Sequence, residues 1–403
     1  MSADRRRTRL RAVRAADRSA PPLLSVVVPV HQGREHLRRV LAAICDSHLE
    51  RERWELIVVD DASTDGSAEV AAGHADLVVR LTGEPRGPAY ARNRGFDVAR
   101  GSFVAFVDAD VLVQPHSLER MLRAIEQDSA IGAVVGTYDA RRTSSRLVSE
   151  YRNLLRHVEH QRNGGDTDAF SAGLAIVRRE AFTRAGTFDE WRFPRPQAEA
   201  LELGDRLRSL GYRVLRLLDA EATHLRRWTL RDWIRVDLLD RGMSIARLNQ
   251  LPEFRARADR LYLATPADAV LAWLAVTSLS LATLRQDGSI ALLGSVFVLA
   301  LVLNNANLFA AFAGARGVAF AAAAVPLHLV TCAMYGVASA GGRVLFHAVG
   351  EPQPDPVTQA FSEVGFRTWP PVPAPPSPSR SPANGAHPHP NRASAARAAD
   401  ERS

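Results

Sequence analysis

The chain has 403 residues, of which 24% are charged, and its formal net charge is +7. All 51 of its basic residues are arginine, a pattern typical of genomic codon bias that gives no support for a nucleic-acid partner. Cys45 and Cys332 lie far apart without metal-ligand spacing, so they indicate neither a disulfide framework nor a zinc site. This length exceeds one ordinary domain, and we expect one soluble domain with appended segments.

The two ends of the chain differ in composition from the rest. Residues 1–22 form a basic leader, with seven Arg and two Asp among the first eighteen residues, and we expect it to be disordered. The first apolar run, Leu23 to Val30, is too short for a signal-peptide core, so we expect that nothing exports the amino-terminal part. Residues 351–403 hold 12 of the 23 prolines, which predicts a disordered tail.

Apolar runs and helical patterns alternate after the leader. Leu23–Val30 predicts a buried strand, and Arg34–Cys45 has the apolar spacing of a helix. Trp54–Asp61 and Leu77–Leu81 predict two further strands, and Gly87–Gly95 opens another helix. This alternation predicts an α/β domain with a mostly parallel, doubly wound sheet and a site along one edge.

Two carboxylates end the next strand. Phe103–Val107 is rich in β-branched and aromatic residues and predicts a buried strand, which Asp108 and Asp110 follow. Acids this close repel each other unless a cation or a ligand donor lies between them, and an oxygen-only pair suits Mg²⁺ or Mn²⁺. The pair therefore predicts a divalent metal that carries phosphate oxygens, with a solvated turn as the alternative if the pair stood alone.

These motifs, in this order, resemble those of the family-2 glycosyltransferases, which have the GT-A fold that binds nucleotide-diphospho-sugars. The resemblance covers roughly residues 24 to 228. The matching segments are Val28–Val30, Asp60–Ser67, Ala91–Gly95, Asp108–Asp110, Ala172–Phe182 with Gly186–Glu190, and Leu203–Val214. It implies an inverting transfer of a sugar from a nucleotide-diphosphate donor.

The resemblance also implies which residues bind the donor. The backbone around Pro29 and Val30 would form the base pocket, and Asp61 would accept a hydrogen bond from the nucleobase. Arg92 and Asn93 would reach the donor sugar or its phosphates.

By the same resemblance, Asp108 would hold ribose or sugar hydroxyls. Asp110 would bind the Mg²⁺ or Mn²⁺ that bridges the diphosphate, and His224 would contact the metal or the pyrophosphate. This agrees with the chemistry, because a diphosphate leaving group gains negative charge in the transition state and a divalent cation stabilises that charge.

Three further residues match the acceptor side. Gly173 belongs to the segment Ala172–Phe182, and Arg227 and Trp228 resemble the Arg-Trp pair that lines the acceptor channel of processive members. An arginine would bind phosphate, and a tryptophan would offer an apolar face to a sugar ring. The glutamine that precedes Arg-Trp in processive members is absent, so we expect a single-addition transferase.

The general base is where the sequence departs from the family. Inverting displacement needs a carboxylate that takes the proton of the attacking hydroxyl, and the position that usually holds this Asp is Ala200. Glu199 is our first candidate for the base, and Glu202, on the same helical face, is the second. The alternative is that both glutamates pair with Arg206. His31-Gln32 also departs from the usual Tyr-Asn at the base pocket.

The composition changes after residue 228. Residues 229–263 mix Arg with Trp and aliphatic residues, which predicts an amphipathic helix on a membrane surface with Trp at headgroup depth. Residues 264–345 contain three apolar runs, Ala269–Leu284, Ile290–Ala313 and Val318–Ala340, whose lengths predict two or three transmembrane spans. A buried hairpin in a soluble domain is the alternative.

We therefore expect a multi-pass enzyme of the plasma membrane with a cytoplasmic catalytic domain over residues 23–228. Its expected partners are a nucleotide-diphosphate sugar, a lipid-linked or cell-envelope glycan acceptor and the membrane. Two alternatives remain open. A catalytically weak relative would bind nucleotide sugar without turnover, as the missing Asp at position 200 favours, and a nucleotidyltransferase would instead carry a Gly-rich basic loop after the first strand.

Overall fold

The structure is a computed structural model that describes residues 11–14, 21–162, 164–193, 198–251 and 264–350. The tail over 351–403, most of the leader and residues 252–263 of the interfacial segment lie outside the described residues, so those parts of the domain division stay predictions. The strands are β1 Arg11–Arg14, β2 Leu24–Val30, β3 Trp54–Asp61, β4 Leu77–Leu81, β5 Phe103–Val107, β6 Val111–Val113, β7 Ile131–Tyr138, β8 Gly165–Asp166, β9 Leu174–Arg178 and β10 Arg213–His224.

Helices cover both faces of the sheet and make up the carboxyl-terminal part. They are α1 Arg34–Cys45, α2 Ser67–Ala72, α3 Pro88–Val98, α4 Ser117–Gln127, α5 Leu147–Arg162, α6 Arg179–Ala185, α7 Glu199–Ser209, α8 Leu230–Ile234, α9 Met243–Leu248, α10 Pro266–Arg285, α11 Gly288–Asn304, α12 Ala306–Arg316 and α13 Val318–Val349. A π-helical stretch, Arg235–Gly242, joins α8 to α9.

One mixed sheet carries the domain, in the order β1-β4-β3-β2-β5-β9-β7-β10-β6, with β8 on β10. Strands β2 to β5 pair in parallel as predicted. The expectation of a mostly parallel sheet is wrong for the other half, because β9 runs antiparallel between β5 and β7. A run of buried apolar residues marks a strand in either direction, so the sequence pattern carried no information about this insertion.

The strands β2 and β3 are buried along their whole length, and each face of the sheet has its own apolar core. Helix α1 buries Leu37, Val40, Leu41 and Ile44 against one face. Helix α3 packs on the other face at close range, since a Cβ on Gly95 would lie 2.3 Å from Val27 Cγ1. Only glycine permits this close approach of helix to strand. The approach places Arg92 and Asn93, which precede Gly95 in α3, near the edge of the sheet.

A short segment of the predicted leader forms a strand. Residues 11–14 form β1, which pairs antiparallel with β4 at the edge of the sheet. Without β1, strand β4 would expose unpaired backbone donors and acceptors at the edge of the sheet. The composition of the leader did not predict this pairing.

Two carboxyl-terminal helices, α10 and α13, are long and apolar enough to cross a membrane. Helices α11 and α12, predicted as one run, meet at a bend of 76° and would make a third span if taken together. At the bend, the amides of Asn304 and Asn305 each donate to Asp268 over 2.7 Å, which satisfies polar groups within an apolar bundle.

Helix α5 joins the sheet domain to the apolar helices. The Tyr151 hydroxyl lies 2.7 Å from Thr331 Oγ1 and 3.1 Å from His328 Nδ1 in α13. Trp233, expected at a membrane surface, is instead fully buried in the cluster around Tyr151. The composition of this segment did not distinguish a lipid contact from a contact with the protein's own helices.

Candidate donor and metal site

The loops after β2 and β3 meet at one edge of the sheet. Parallel pairing places Pro29 beside Val59 and Val30 beside Asp60. The ring nitrogen Nδ1 of His31 lies 2.7 Å from the Asp61 carbonyl oxygen, and Asp65 accepts from the Arg34 and Ser67 amides. His31 thus joins the loop after β2 to the loop after β3, and Asp65 contacts the first residues of α1 and α2.

Asp61 is buried, and its carboxylate faces the loop before α3. It accepts hydrogen bonds from the backbone N–H groups of Arg86, at 3.0 and 3.1 Å, and of Gly87, at 2.7 Å. The predicted base-recognition residue therefore lies between the base loop and the start of the helix that carries Arg92. A carboxylate has capacity for a further donor such as a nucleobase N–H.

Arg92 lies at the centre of the site and is only 4% exposed. Its Nη2 donates to Asp108 Oδ1 at 2.7 Å, and its Nη1 lies 3.4 Å from Glu199 Oε1. Burial lowers the pKa of this guanidinium, but Asp108 and Glu199 raise it more, so the net pKa is raised. One arginine thus joins a predicted donor ligand to the first candidate base.

The neighbouring Asn93 has a different environment. Its amide nitrogen donates to Glu190 at 2.6 Å and to the Phe188 carbonyl at 2.9 Å, and its Oδ1 accepts from the Phe188 amide. These contacts hold the 188–190 segment, so they give no support to the predicted contact of Asn93 with the donor.

Gly173 contacts Asp108 directly. Its carbonyl accepts the Asp108 amide at 3.1 Å. A Cβ at this position would lie 2.4 Å from the Tyr138 hydroxyl and 3.0 Å from Asp108 Oδ2. The absence of a side chain at Gly173 therefore keeps room for both groups beside the donor site.

Asp110 and His224 come together through the antiparallel pairing of β6 with β10. Val111 pairs with His224, and the Leu225 amide donates to the Asp110 carbonyl at 2.8 Å. His224 Nε2 lies 3.9 Å from Asp110 Oδ2. These two residues, far apart in sequence, thus lie side by side, and their role as metal ligands stays a prediction.

The chemistry of this pair fits a divalent cation. Burial, with Arg156 and Arg226 nearby, holds the pKa of His224 well below its usual range, so the imidazole is neutral. Its Nδ1 is buried without a hydrogen-bond partner among the described residues. Burial raises the pKa of Asp110, which means that its charged form lacks stabilisation that a cation would supply.

Two arginines near Asp110 and His224, namely Arg156 and Arg226, were not predicted as site residues. Arg156 lies 5.8 Å from the Tyr138 ring centroid, and Tyr138 lies 5.1 Å from the His224 ring. Arg226 lies 4.1 Å from the Trp228 ring. Only the spacing of Arg152 and Arg156 on one helical face could have hinted at this cluster, since no motif contains Arg156.

The predicted acceptor residues Arg227 and Trp228 differ in exposure. Arg227 is exposed and pairs with Glu35 at 3.2 Å. Trp228 is 5% exposed, and the guanidinium groups of Arg152 and Arg226 lie 4.9 and 4.1 Å from its ring. The Trp228 ring therefore packs against the protein, and these contacts do not support its predicted role as a platform for a sugar.

The two candidate bases have different partners. Glu202 forms a bidentate pair with Arg206, at 2.6 and 2.7 Å, and Arg206 also donates to the carbonyls of Ala185 and Thr187. This is the alternative that the sequence left open for Glu202. Glu199 begins α7 and contacts Arg92, so it is the one of the two that connects to Asp108.

A cavity of about 260 Å³ lies beside the β6–β10 pair. Four arginines, Arg39, Arg141, Arg142 and Arg227, line it together with His36. A concave surface with this charge favours an anionic group.

Parts of the chain are similar to known glycosyltransferases. Residues 25–186 match the sequence model of Glycosyl transferase family 2. The chain is 29% identical over 143 residues to glycosyltransferase AglE of Haloferax volcanii, covering 34% of this chain and 47% of that protein. It is 38% identical over 140 residues to the uncharacterized glycosyltransferase YibD of Escherichia coli, covering 33% and 39%. The chain thus spans about half the length or less of these relatives.

Among solved structures, the mannosyltransferase PcManGT from Pyrobaculum calidifontis, in complex with GDP-Man and Mn²⁺, is 22% identical. The match covers 82% of this chain and 89% of that chain with a TM-score of 0.47. A TM-score at this level does not by itself establish a shared fold. The sequence match over residues 25–186, which lie within the α/β domain, indicates that this segment is similar to a glycosyltransferase family 2 domain.

Proposed function

We propose that this chain is an inverting glycosyltransferase that moves one sugar from a nucleotide-diphosphate donor to an acceptor near a membrane. The observation that carries the proposal is the contact of Asp108 with Glu199 through Arg92, beside the Asp110–His224 pair. It brings a donor-binding acid, a candidate base and a candidate metal pair to one edge of the sheet.

Asp110 and His224 would hold the divalent cation, Mg²⁺ or Mn²⁺. When bound, the cation supplies positive charge to the diphosphate as its negative charge grows. Arg156 and Arg226 add fixed positive charge close to the same pair, since both act electrostatically on Asp110. These arginines would stabilise the diphosphate after the bond to the sugar breaks.

Glu199 is the proposed base, which takes the proton of the acceptor hydroxyl as that hydroxyl attacks the sugar. Its pair with Arg92 fixes the position of the carboxylate next to Asp108, where it could accept the proton of an attacking hydroxyl. Glu202 is the weaker candidate because both of its oxygens are held by Arg206.

The acceptor is proposed to be anionic and linked to a lipid. Two described helices are long and apolar enough to span a membrane, and the arginine-lined cavity connects through Glu150 to the neighbouring helix α12. Arg142 in the cavity wall lies 3.9 Å from Glu150, which pairs at 2.9 Å with Arg316 at the end of α12. A phosphate in the cavity would thus lie near the boundary between the catalytic domain and the apolar helices. We place the catalytic domain on the cytoplasmic side of the plasma membrane, where nucleotide sugars are made.

The experiment is an assay of the full chain in detergent with membrane extract as the acceptor source. UDP-, GDP- and TDP-sugars are offered with Mn²⁺, and both nucleoside diphosphate and pyrophosphate are measured. We expect release of nucleoside diphosphate that Asp110→Ala abolishes. A parallel reaction offers sugar phosphates with nucleoside triphosphates, and release of pyrophosphate there would favour a nucleotidyltransferase instead. Donor binding without release would favour a binding-only relative, the alternative that Ala200 raises.

A further inference from the structure

Three metal-ligating side chains from two separate segments converge outside the donor site. His48 lies in the loop after α1, His116 directly precedes α4, and Glu119 is in the first turn of α4. One ligand atom from each lies within 4.8 Å of the other two. The two histidines are too far apart in sequence for any spacing rule to have paired them.

The contacts within the group orient its ligand atoms. The two imidazole rings meet edge to face with their centroids 4.0 Å apart. His116 Nδ1 lies 4.0 Å from Glu119 Oε2, while Glu119 Oε1 accepts from Arg123 at 2.7 Å. Arg123 therefore binds Oε1 of Glu119, and Oε2 remains on the side of the histidines. An outer hydrogen bond of this kind is typical of carboxylates that bind metals.

The backbone brings the two segments together without any ion. The His48 amide donates to the Pro115 carbonyl at 2.9 Å, which fixes the loop after α1 against the residue before His116. The histidine side chains are exposed and that of Glu119 is one-third exposed. The group is thus held together by main-chain contacts and open to a hydrated ion from solvent.

We propose that His48, His116 and Glu119 form a binding site for a transition-metal ion of the Zn²⁺ class, with solvent as the remaining ligand. Imidazole suits Zn²⁺, Ni²⁺ and Cu²⁺, whereas Mg²⁺ prefers oxygen ligands and keeps its water. The site is thereby distinct in chemistry from the one proposed at Asp110. Tetrahedral Zn²⁺ places its ligand atoms roughly 3.4 Å apart, a separation that small rotations of these exposed side chains achieve.

An ion at this site would join the end of α1 to the start of α4. Helix α1 starts beside the donor site, where a Cβ on Gly33 would lie 3.6 Å from Ala109 Cβ. Residues 111–116 lead directly from Asp110 to His116. The ion would therefore stabilise two segments that lead away from the donor site without touching the donor, and its binding does not depend on the proposed function.

The test is calorimetric titration of the full chain with ZnCl₂ and NiCl₂ in excess MgCl₂. Three other possible ligands are removed in the background protein, namely the exposed Cys45, as Cys45→Ser, and the tail residues His387 and His389, as alanines. We expect one equivalent of Zn²⁺ to bind. His48→Ala and His116→Ala should each weaken binding by at least about tenfold, since loss of even an outer-shell partner costs about 10- to 100-fold.

Glu119→Gln tests the carboxylate, and Glu126→Gln, on the same helix, is its matched control. The first should weaken Zn²⁺ binding and the second should leave it unchanged. Unchanged affinity in the His48→Ala/His116→Ala double variant would overturn the proposal. Loss of the Zn²⁺ equivalent in Asp110→Ala would also overturn it, because the ion would then occupy the donor site.

Discussion

Arg92 and Asp108 form an ion pair of 2.7 Å in which the guanidinium is buried and the carboxylate remains one-third exposed. The same guanidinium contacts Glu199. Arg92 therefore couples the residue expected to bind donor hydroxyls to the residue expected to take the acceptor proton. Asp108 follows β5 and Glu199 begins α7, and the Arg92 side chain of α3 contacts both.

Replacing Arg92 separates the effects of its charge and its shape. Arg92→Ala removes the buried cation that Asp108 and Glu199 share, so we expect it to lower stability as well as turnover. Arg92→Lys retains the charge but loses the two-pronged geometry. We expect Arg92→Lys to remain folded, with donor affinity and turnover both reduced, as measured by thermal unfolding, nucleotide titration and the release assay. Wild-type turnover in Arg92→Lys would contradict the coupling of Asp108 to Glu199.

Glu199→Gln and Glu202→Gln distinguish the two candidate bases. We expect Glu199→Gln to lower kcat by about 10²- to 10⁴-fold, the usual contribution of a general base, and to leave donor affinity nearly unchanged. Glu202→Gln should mainly lower the melting temperature, because it weakens the pair with Arg206. The reverse pattern, with kcat lost only in Glu202→Gln, would move the base to Glu202.

The arginine-lined cavity makes a prediction about the acceptor. Arg39 lines the cavity, whereas its neighbour Arg38 is exposed outside it. Loss of one charge-assisted hydrogen bond to a phosphate should raise the KM for a phosphate-bearing acceptor about tenfold in Arg39→Gln. Arg38→Gln is the matched control and should behave as wild type. Equal effects of the two variants, or an effect on the KM for the donor, would argue against an acceptor phosphate in the cavity.

The stability of the 188–190 segment should depend on pH through Glu190. Burial raises the pKa of Glu190, and Arg94 and Asn93 offset only part of this rise. A raised folded-state pKa favours the protonated form. The contribution of Glu190 to the free energy of unfolding is therefore fully present below its ordinary pKa of 4.5. It is lost as the pH rises through the raised pKa of Glu190 in the folded protein.

Glu190→Gln removes this pH-dependent cost. Its melting temperature should exceed that of wild type at pH 7, and the difference should shrink towards pH 4. The exposed residue Glu84 supplies a control, since Glu84→Gln should show no such trend. A difference that instead widened at pH 4 would mean that the Glu190 carboxylate is stabilised in the folded state.

The ends of the strands were easier to predict from the sequence than the direction of each strand. The pairs Asp60-Asp61 and Asp108–Asp110 marked strand ends, and parallel strand ends lie at one edge, so their proximity followed from the pattern. The antiparallel insertion of β9 was missed because an apolar run has no direction. The bend at Asn305 and the burial of Trp233 were missed because they depend on neighbours that the local pattern does not contain, Asp268 and Tyr151 respectively.

A motif indicated where a residue lies in the fold better than it indicated what the side chain of that residue contacts. His224 and Asp110 lie side by side, whereas the side chains of Asn93 and Trp228 contact other residues of the protein. Arg156 was missed because it belongs to no motif and reaches the site only through the packing of α5 against Tyr138. Which face of a helix meets the site is set by tertiary packing, which a single sequence does not reveal.

Calorimetric titration of the full chain with uridine, guanosine and thymidine diphosphates, with and without Mn²⁺, tests the central claim most directly. We predict that at least one nucleoside diphosphate binds, that Mn²⁺ strengthens the binding, and that Asp110→Ala and His224→Ala lose the Mn²⁺ dependence while remaining folded. Absence of heat with every nucleotide, or Mn²⁺-dependent binding that persists in both variants, would contradict a cation held by Asp110 and His224 that binds the diphosphate of a sugar donor.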